Sequence, residues 1–84
     1  MKMTDKQKFI LNILKDRDSE SYSICMDARR AGLNTRSLAS EWADGPLRQL
    51  RQAGLVEYTG EFERLRKVHR ITPAGRHALC IAEA

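Results

Sequence analysis

Basic and amide side chains concentrate in the stretch LRQLRQAGLV at positions 47–56. Arginine can make two parallel hydrogen bonds to a guanine edge, and glutamine can make two to an adenine edge. The residues of these types in the stretch are Arg48, Gln49, Arg51 and Gln52. Four further cations are suited to phosphate groups, which position a protein on DNA without specifying a sequence. They are Arg64, Arg66, Lys67 and Arg70.

Enzymatic and metal-dependent chemistry find little support in the residues. The sequence has no glycine-rich phosphate loop, no HExxH pair and no serine nucleophile elbow. His77 and Cys80 lie three apart and would form half a metal site, which Cys25 and His69 would have to complete. No compact ligand motif supports that grouping. We therefore predict that the chain is not an enzyme and holds no metal or cofactor.

Composition and length indicate a small globular protein. The 84 residues predict one domain over 1–84, and 42% hydrophobic with 31% charged residues is typical of a soluble fold. No apolar run approaches the ~20 residues that span a bilayer, and the start lacks the apolar region of a secretory signal. We expect a cytoplasmic protein without a membrane partner. Cys25 and Cys80 are expected to be buried thiols, and the net charge of +4 is compatible with a polyanionic partner.

The first part of the chain predicts two helices. Thr4 and Gln7 form a capping box before an apolar stripe at helical spacing, which indicates a helix over about 4–16. A second helix stops at Gly32, and its buried face includes Ile24, Ala28 and Ala31. The segment 21–24 is either a short extended piece or the entry to this second helix.

The segment 33–46 admits two geometries. Thr35 is a possible cap for a helix that contains Leu38, Ala39, Trp42 and Ala43, with Trp42 in the core. The sequence Asp44-Gly45-Pro46 then has two interpretations. It either ends a short helix over 35–43, so that a separate helix begins near Asp44, or it lies in one helix over about 35–53 that kinks at Pro46. We favour the break, because Asp-Gly-Pro is typical of turns. Arg36, Ser37 and Ser40 are candidate DNA-contacting residues on this segment.

A hairpin and a final helix complete the predicted order. Gly54 can end the preceding helix in the left-handed conformation. Strands are expected over 55–58 and 68–71, with Gly60 as the turn residue of the hairpin between them. Thr72 then caps a last helix with Pro73 in its first position, and Ala78, Leu79 and Ile81 make this helix amphipathic.

Two motifs, in order and separated by the hairpin, carry a family resemblance. The spacing LxxLxxxGLV over 47–56 and the run Ile71-Thr72-Pro73-Ala74-Gly75 resemble the winged helix-turn-helix regulators of the MarR and PadR kind. The Tyr22-x-Ile24 step after the first helix adds to this resemblance to PadR proteins. The implied fold is α+β and mostly α, a winged helix with three or four helices, a two-stranded β wing hairpin and a short C-terminal helix.

The resemblance implies a function as well as a fold. A recognition helix would enter the major groove of double-stranded DNA, the wing would lie against the backbone or minor groove, and the protein would be a small transcriptional regulator that forms a homodimer. Two observations favour alternatives. Residues 36–58 carry no net charge, which gives this segment little attraction for phosphate. The last helix has room for only about three turns, so a dimer formed through it would be small. The alternatives are a protein–protein interaction module, such as a phage or mobile-element protein that docks a host complex, and an RNA-binding winged helix.

Overall fold

The computed structural model describes residues 2–34 and 41–83, and this part of the chain contains four helices and a two-stranded antiparallel hairpin. The elements are α1 (Asp5–Leu14), α2 (Ser21–Arg30), α3 (Glu41–Gln52), β1 (Val56–Glu63), β2 (Arg66–Ile71) and α4 (Pro73–Glu83). The predicted fold class, mostly helical with a hairpin between the last two helices, is confirmed. Among the described helices none is both long and apolar enough to cross a membrane.

Local capping explains where the first two helices begin. The predicted capping box of α1 is present: Gln7 N donates to Thr4 Oγ1 at 3.2 Å, and Thr4 N donates to Gln7 Oε1 at 3.0 Å. The segment 21–24 is the first turn of α2 rather than an extended piece. Glu20 caps it by accepting hydrogen bonds from the amides of Tyr22 and Ser23, which places a negative charge at the positive end of the helix.

The preferred break at 44–46 is wrong, because α3 continues through Pro46 from Glu41 to Gln52. Ala43, Leu47 and Leu50 lie on one face and are almost completely buried. A leucine gains about 1.5–3 kcal/mol on full burial, whereas a proline inside a helix costs about 3 kcal/mol. Burial on both sides of Pro46 therefore outweighs the lost hydrogen bond. The predicted cap Thr35, with Leu38 and Ala39, lies outside the described residues.

Trp42 lies beside this buried face and is partly buried against the core, as predicted. Its ring packs against that of Phe9 from α1 in a T-shaped pair, with 6.0 Å between the ring centroids and an interplanar angle of 90°. Such edge-to-face pairs stabilise packing beyond the area they bury. Trp42 therefore joins α3 to α1.

The hairpin turns at Arg64 and Leu65, so the prediction of Gly60 as the turn residue is wrong. Both turn residues have positive φ, 50° and 63°, the geometry in which a two-residue turn matches the twist of its strands. Gly60, with φ of 91°, lies within β1 where the pairing register shifts between Tyr58 and Phe62. Glycine adopts this conformation without strain. Both strands are consequently longer than predicted.

The two sequence motifs contact each other directly at the base of the hairpin. Thr72 N donates to Leu55 O at 3.0 Å, and Thr72 Oγ1 donates to Gly54 O at 2.7 Å. The same hydroxyl accepts from Gly75 N at 3.0 Å, which confirms Thr72 as the cap of α4. A Cβ on Gly75 would lie 2.1 Å from Leu55 O, so this close approach requires glycine.

The core lies between the helices and the base of the hairpin. Its buried side chains include Ile10, Leu11, Leu14, Ile24, Leu47, Leu50, Val56, Ile71 and Leu79. Ser19, ahead of α2, forms an isolated antiparallel bridge with His69, so that β2 is flanked on both sides. Cys25 is buried as predicted. Cys80 is exposed, and the prediction that it is buried is wrong, because it lies on the outer side of α4 opposite the core.

Candidate nucleic-acid interface

A cleft of about 420 Å³ separates α3 from the hairpin. Its lining residues are Ser21, Asp44, Leu47, Arg48, Arg51, Tyr58, Arg66, Lys67 and His69. Four of them are basic and one is acidic. The structure thus brings two of the predicted base-reading residues together with two of the predicted phosphate-binding residues, although the pairs are far apart in sequence.

Helical geometry explains why α3 presents its arginines to the cleft. Leu47 and Leu50 are buried, and each is followed directly by an arginine. Arg48 and Arg51 are three residues apart, so they are neighbours on the helix surface beside the buried stripe. No hydrogen bond or ion pair joins the Arg48 side chain to another described residue. Its guanidinium donors are therefore available to a ligand.

Arg51 is held by two aromatic residues of the hairpin. Its guanidinium carbon lies 4.8 Å from the centre of the Tyr58 ring, and its Nη1 lies 2.9 Å from Nε2 of His69. Because an arginine nitrogen can only donate, Nε2 is the acceptor and the imidazole is neutral. Burial, together with the charge of Arg51, lowers the pKa of His69 to about 4.

Tyr58 also contacts a cation from the second strand. Nζ of Lys67 lies 4.6 Å from the centre of its ring, so one half-exposed tyrosine contacts basic side chains from both α3 and β2. Arg66 similarly lies 5.8 Å from the ring of Tyr22, near the start of α2. Cation–π contacts of this kind stabilise by about 0.5–1 kcal/mol at exposed sites. The aromatic rings therefore keep like charges close together along one surface.

Other predicted residues have partners outside the cleft. Arg64 donates to the buried Glu20 at 3.1 Å, Arg70 pairs across the strands with Glu57 at 2.6 Å, and Gln49 accepts from Gln7 of α1 at 3.0 Å. Gln52 is exposed at the end of α3. Arg36, Ser37 and Ser40 lie outside the described residues.

The sequence reasoning missed the aromatic residues that organise the cleft, Tyr58 and His69, which face each other across the hairpin. The alternation of side chains along two strands predicts which residues pair only when the turn and the register are known. The prediction placed the turn at Gly60, whereas the turn lies at 64–65 and the register shifts near Gly60, so Tyr58 was not paired with His69. In the part of the chain that the structure describes, no three His, Cys, Asp or Glu residues are grouped to hold a metal ion.

Comparison with solved structures identifies the architecture. A PadR-like transcriptional regulator from Bacillus cereus superposes with a TM-score of 0.78 at 21% identity, over 92% of this chain and 76% of that one. A PadR family transcription regulator from Clostridium difficile gives 0.73 at 21% identity, over 95% and 84%. A transcriptional regulator from Clostridium thermocellum gives 0.74 at 22% identity, over 90% and 74%. This chain has a winged-helix fold.

The similarity lies in the structure and not in a close sequence relationship. No family model matches the sequence, and no curated protein matches it either. In the winged-helix description, the hairpin of β1 and β2 is the wing, and α3 is the helix that directly precedes it. The basic cleft thus lies between the two elements of this winged-helix chain that the sequence analysis predicted to meet DNA.

Proposed function

We propose that this winged-helix chain binds double-stranded DNA through α3 and the wing and acts as a small transcriptional regulator. The observation that carries the proposal is the cleft itself, where Arg48 and Arg51 of α3 and Arg66 and Lys67 of the wing line one surface. A cluster of like charges on one face is the electrostatic footprint of a nucleic-acid-binding protein. Regulators among the structural neighbours add support for this role.

Within this proposal the residues divide by role. Arg48 and Gln52 lie four apart on the exposed side of α3, and neither side chain is held by another described residue. They are the candidates for reading a guanine and an adenine edge in the major groove. Arg66 and Lys67 hold phosphates, while Arg51 lies between the two groups.

Titration of fluorescent duplex DNA at several salt concentrations tests the proposal. Affinity should fall steeply with salt, because each phosphate contact releases counterions. The double variant R66E/K67E should weaken binding to every duplex and reduce the salt slope by about two. The matched control K15E/R29E makes the same change of charge at exposed residues that do not line the cleft, and it should retain most affinity. A wild-type protein without salt-sensitive duplex binding would overturn the proposal.

Sequence preference provides a separate measurement. Selection from a randomised duplex library should give different preferred sequences for R48A and for the wild type, since a bidentate arginine–guanine contact discriminates by about 1–3 kcal/mol. K67A should weaken binding while leaving the preferred sequence unchanged. Identical selected sequences for R48A and the wild type would remove Arg48 from the proposed site.

We also propose that the chain forms a homodimer through α4. Ile81 is 63% exposed and lies beside Met3, Leu55 and Ala78, which line a largely apolar groove of about 560 Å³. An apolar helix face of this kind is suited to a second copy of itself, and two copies would bind two half-sites. Sedimentation equilibrium should show a dimer that the variant I81E converts to a monomer. A monomeric wild-type protein would exclude the proposed homodimer.

One observation favours the alternative of a protein partner. Phe62 and Leu65 near the wing tip are 63% and 97% exposed, and Glu61 and Glu63 beside them are unfavourable to phosphate. Neighbouring exposed apolar side chains can mark a site of protein–protein interaction. The variant F62S/L65S should leave duplex affinity unchanged if the tip serves a protein. A large loss of duplex affinity would assign the tip to DNA.

A further inference from the structure

The buried histidine of the wing has no place in the proposed set of DNA contacts. His69 is only 5% exposed, and its Nε2 atom faces the guanidinium of Arg51 at 2.9 Å. Burial of a polar ring costs free energy unless its nitrogens are hydrogen-bonded, and the contact with Arg51 satisfies Nε2.

Tyr58 supports the same arginine from a second direction. The rings of Tyr58 and His69 pack at 4.9 Å between centroids, and the guanidinium carbon of Arg51 lies 4.8 Å from the Tyr58 ring. One face and one nitrogen of the guanidinium are therefore in contact with the wing. A guanidinium has five N–H donors, so several remain for a ligand in the cleft.

We propose that His69 is a positioning residue that holds Arg51 in the orientation required for DNA, an inference that rests on the proposed function. An unrestrained arginine loses side-chain rotamer freedom when it binds, whereas a guanidinium already fixed by a hydrogen bond and a ring has lost it in advance. His69 thus acts through Arg51 without touching the DNA itself.

A double-mutant cycle on duplex affinity tests the coupling. H69L fills the same space without the acceptor, and R51A removes the guanidinium. Each should weaken binding to the preferred duplex by roughly tenfold, since a hydrogen bond to a charged group has about this effect. The double variant H69L/R51A should bind no more weakly than R51A alone. H69Q, whose amide oxygen can accept, should retain affinity within about threefold.

The control is K15L, which introduces a leucine at an exposed residue that lines neither the cleft nor the apolar groove beside α4. It should bind as the wild type does. If H69L costs the same factor with and without Arg51, or costs nothing, the positioning role is excluded. If the wild type binds no duplex, the proposed function falls first, so the two failures are distinguishable.

Nitrogen-15 NMR of the wild-type protein supplies a readout that needs no variant. The inference requires a protonated Nδ1 and an unprotonated Nε2 on His69, with slow rotation of the Arg51 guanidinium. A protonated Nε2 at neutral pH would overturn it, because two donors cannot face each other. Loss of the slow Arg51 signals in H69L, but not in H69Q, would support it.

Discussion

Arg64 at the tip of the wing donates a hydrogen bond of 3.1 Å to Glu20, whose side chain is fully buried at the start of α2. The same carboxylate accepts from the amides of Tyr22 and Ser23 and therefore caps α2. One acidic side chain thus joins the wing tip to the helix on which it rests. The positive charge of Arg64 is engaged within the protein, which sets it apart from Arg66 and Lys67 in the cleft.

Removal of this contact should destabilise the protein. In R64M the buried carboxylate of Glu20 loses its cationic partner, and we expect the free energy of unfolding to fall by about 1–2 kcal/mol, a modest value because Arg64 is half exposed. Urea denaturation measures the change. R66M is the control, since Arg66 makes no ion pair with any residue in the described ranges, and an equal loss in R66M would contradict the assignment.

Protonation of His69 should make stability depend on pH. Its pKa is about 4 in the folded protein and near 6.5 when unfolded, so the unfolded chain binds a proton first as the pH falls. The free energy of unfolding should therefore decrease from about pH 6.5 towards pH 4, by up to about 3 kcal/mol. Urea denaturation across this window should show the loss in the wild type but not in H69Q. The same dependence of the free energy of unfolding on pH in the wild type and H69Q would contradict the assignment to His69.

Two glycines should respond differently to alanine. In G75A the new methyl group would lie too close to Leu55 O, a backbone atom that cannot move aside easily, so we expect a loss of at least about 2 kcal/mol. In G45A, within α3, the methyl group contacts no residue beyond its chain neighbours, and the gain in helix propensity is offset by the clash of its Cβ with the ring of Pro46, so we expect a change of less than about 1 kcal/mol. Thermal denaturation of both variants measures the contrast, which an equal loss of stability in G45A would refute.

The two cysteines should differ in reactivity. Cys80 is exposed, whereas Cys25 is buried and its pKa is raised by desolvation, which disfavours the reactive thiolate. A chromogenic disulfide reagent should label one thiol rapidly in the native protein and a second only in denaturant. C80S should lose the rapid phase. Rapid labelling of both thiols in the wild type would show that Cys25 is accessible.

The sequence by itself determined the elements whose signals are local. Thr4 with Gln7 marks the start of α1, and Thr72 with Pro73 marks the start of α4, because a cap needs only residues within three positions of each other. The order of helices and hairpin followed from these signals and from apolar periodicity, whereas the winged-helix expectation came from the resemblance of two motifs to known regulators.

Only the tertiary structure decided what depends on packing between elements. α3 passes through Pro46 because buried side chains on both sides of it face a common core, and no local rule weighs that burial against turn-forming residues. The hairpin register follows from a shift near Gly60, which determines that Tyr58 meets His69. The sequence shows which side chains are basic. Packing decided that Arg51 and Lys67 share the cleft, while Arg64 is paired with Glu20, because each ion pair and ring contact joins residues distant in the chain.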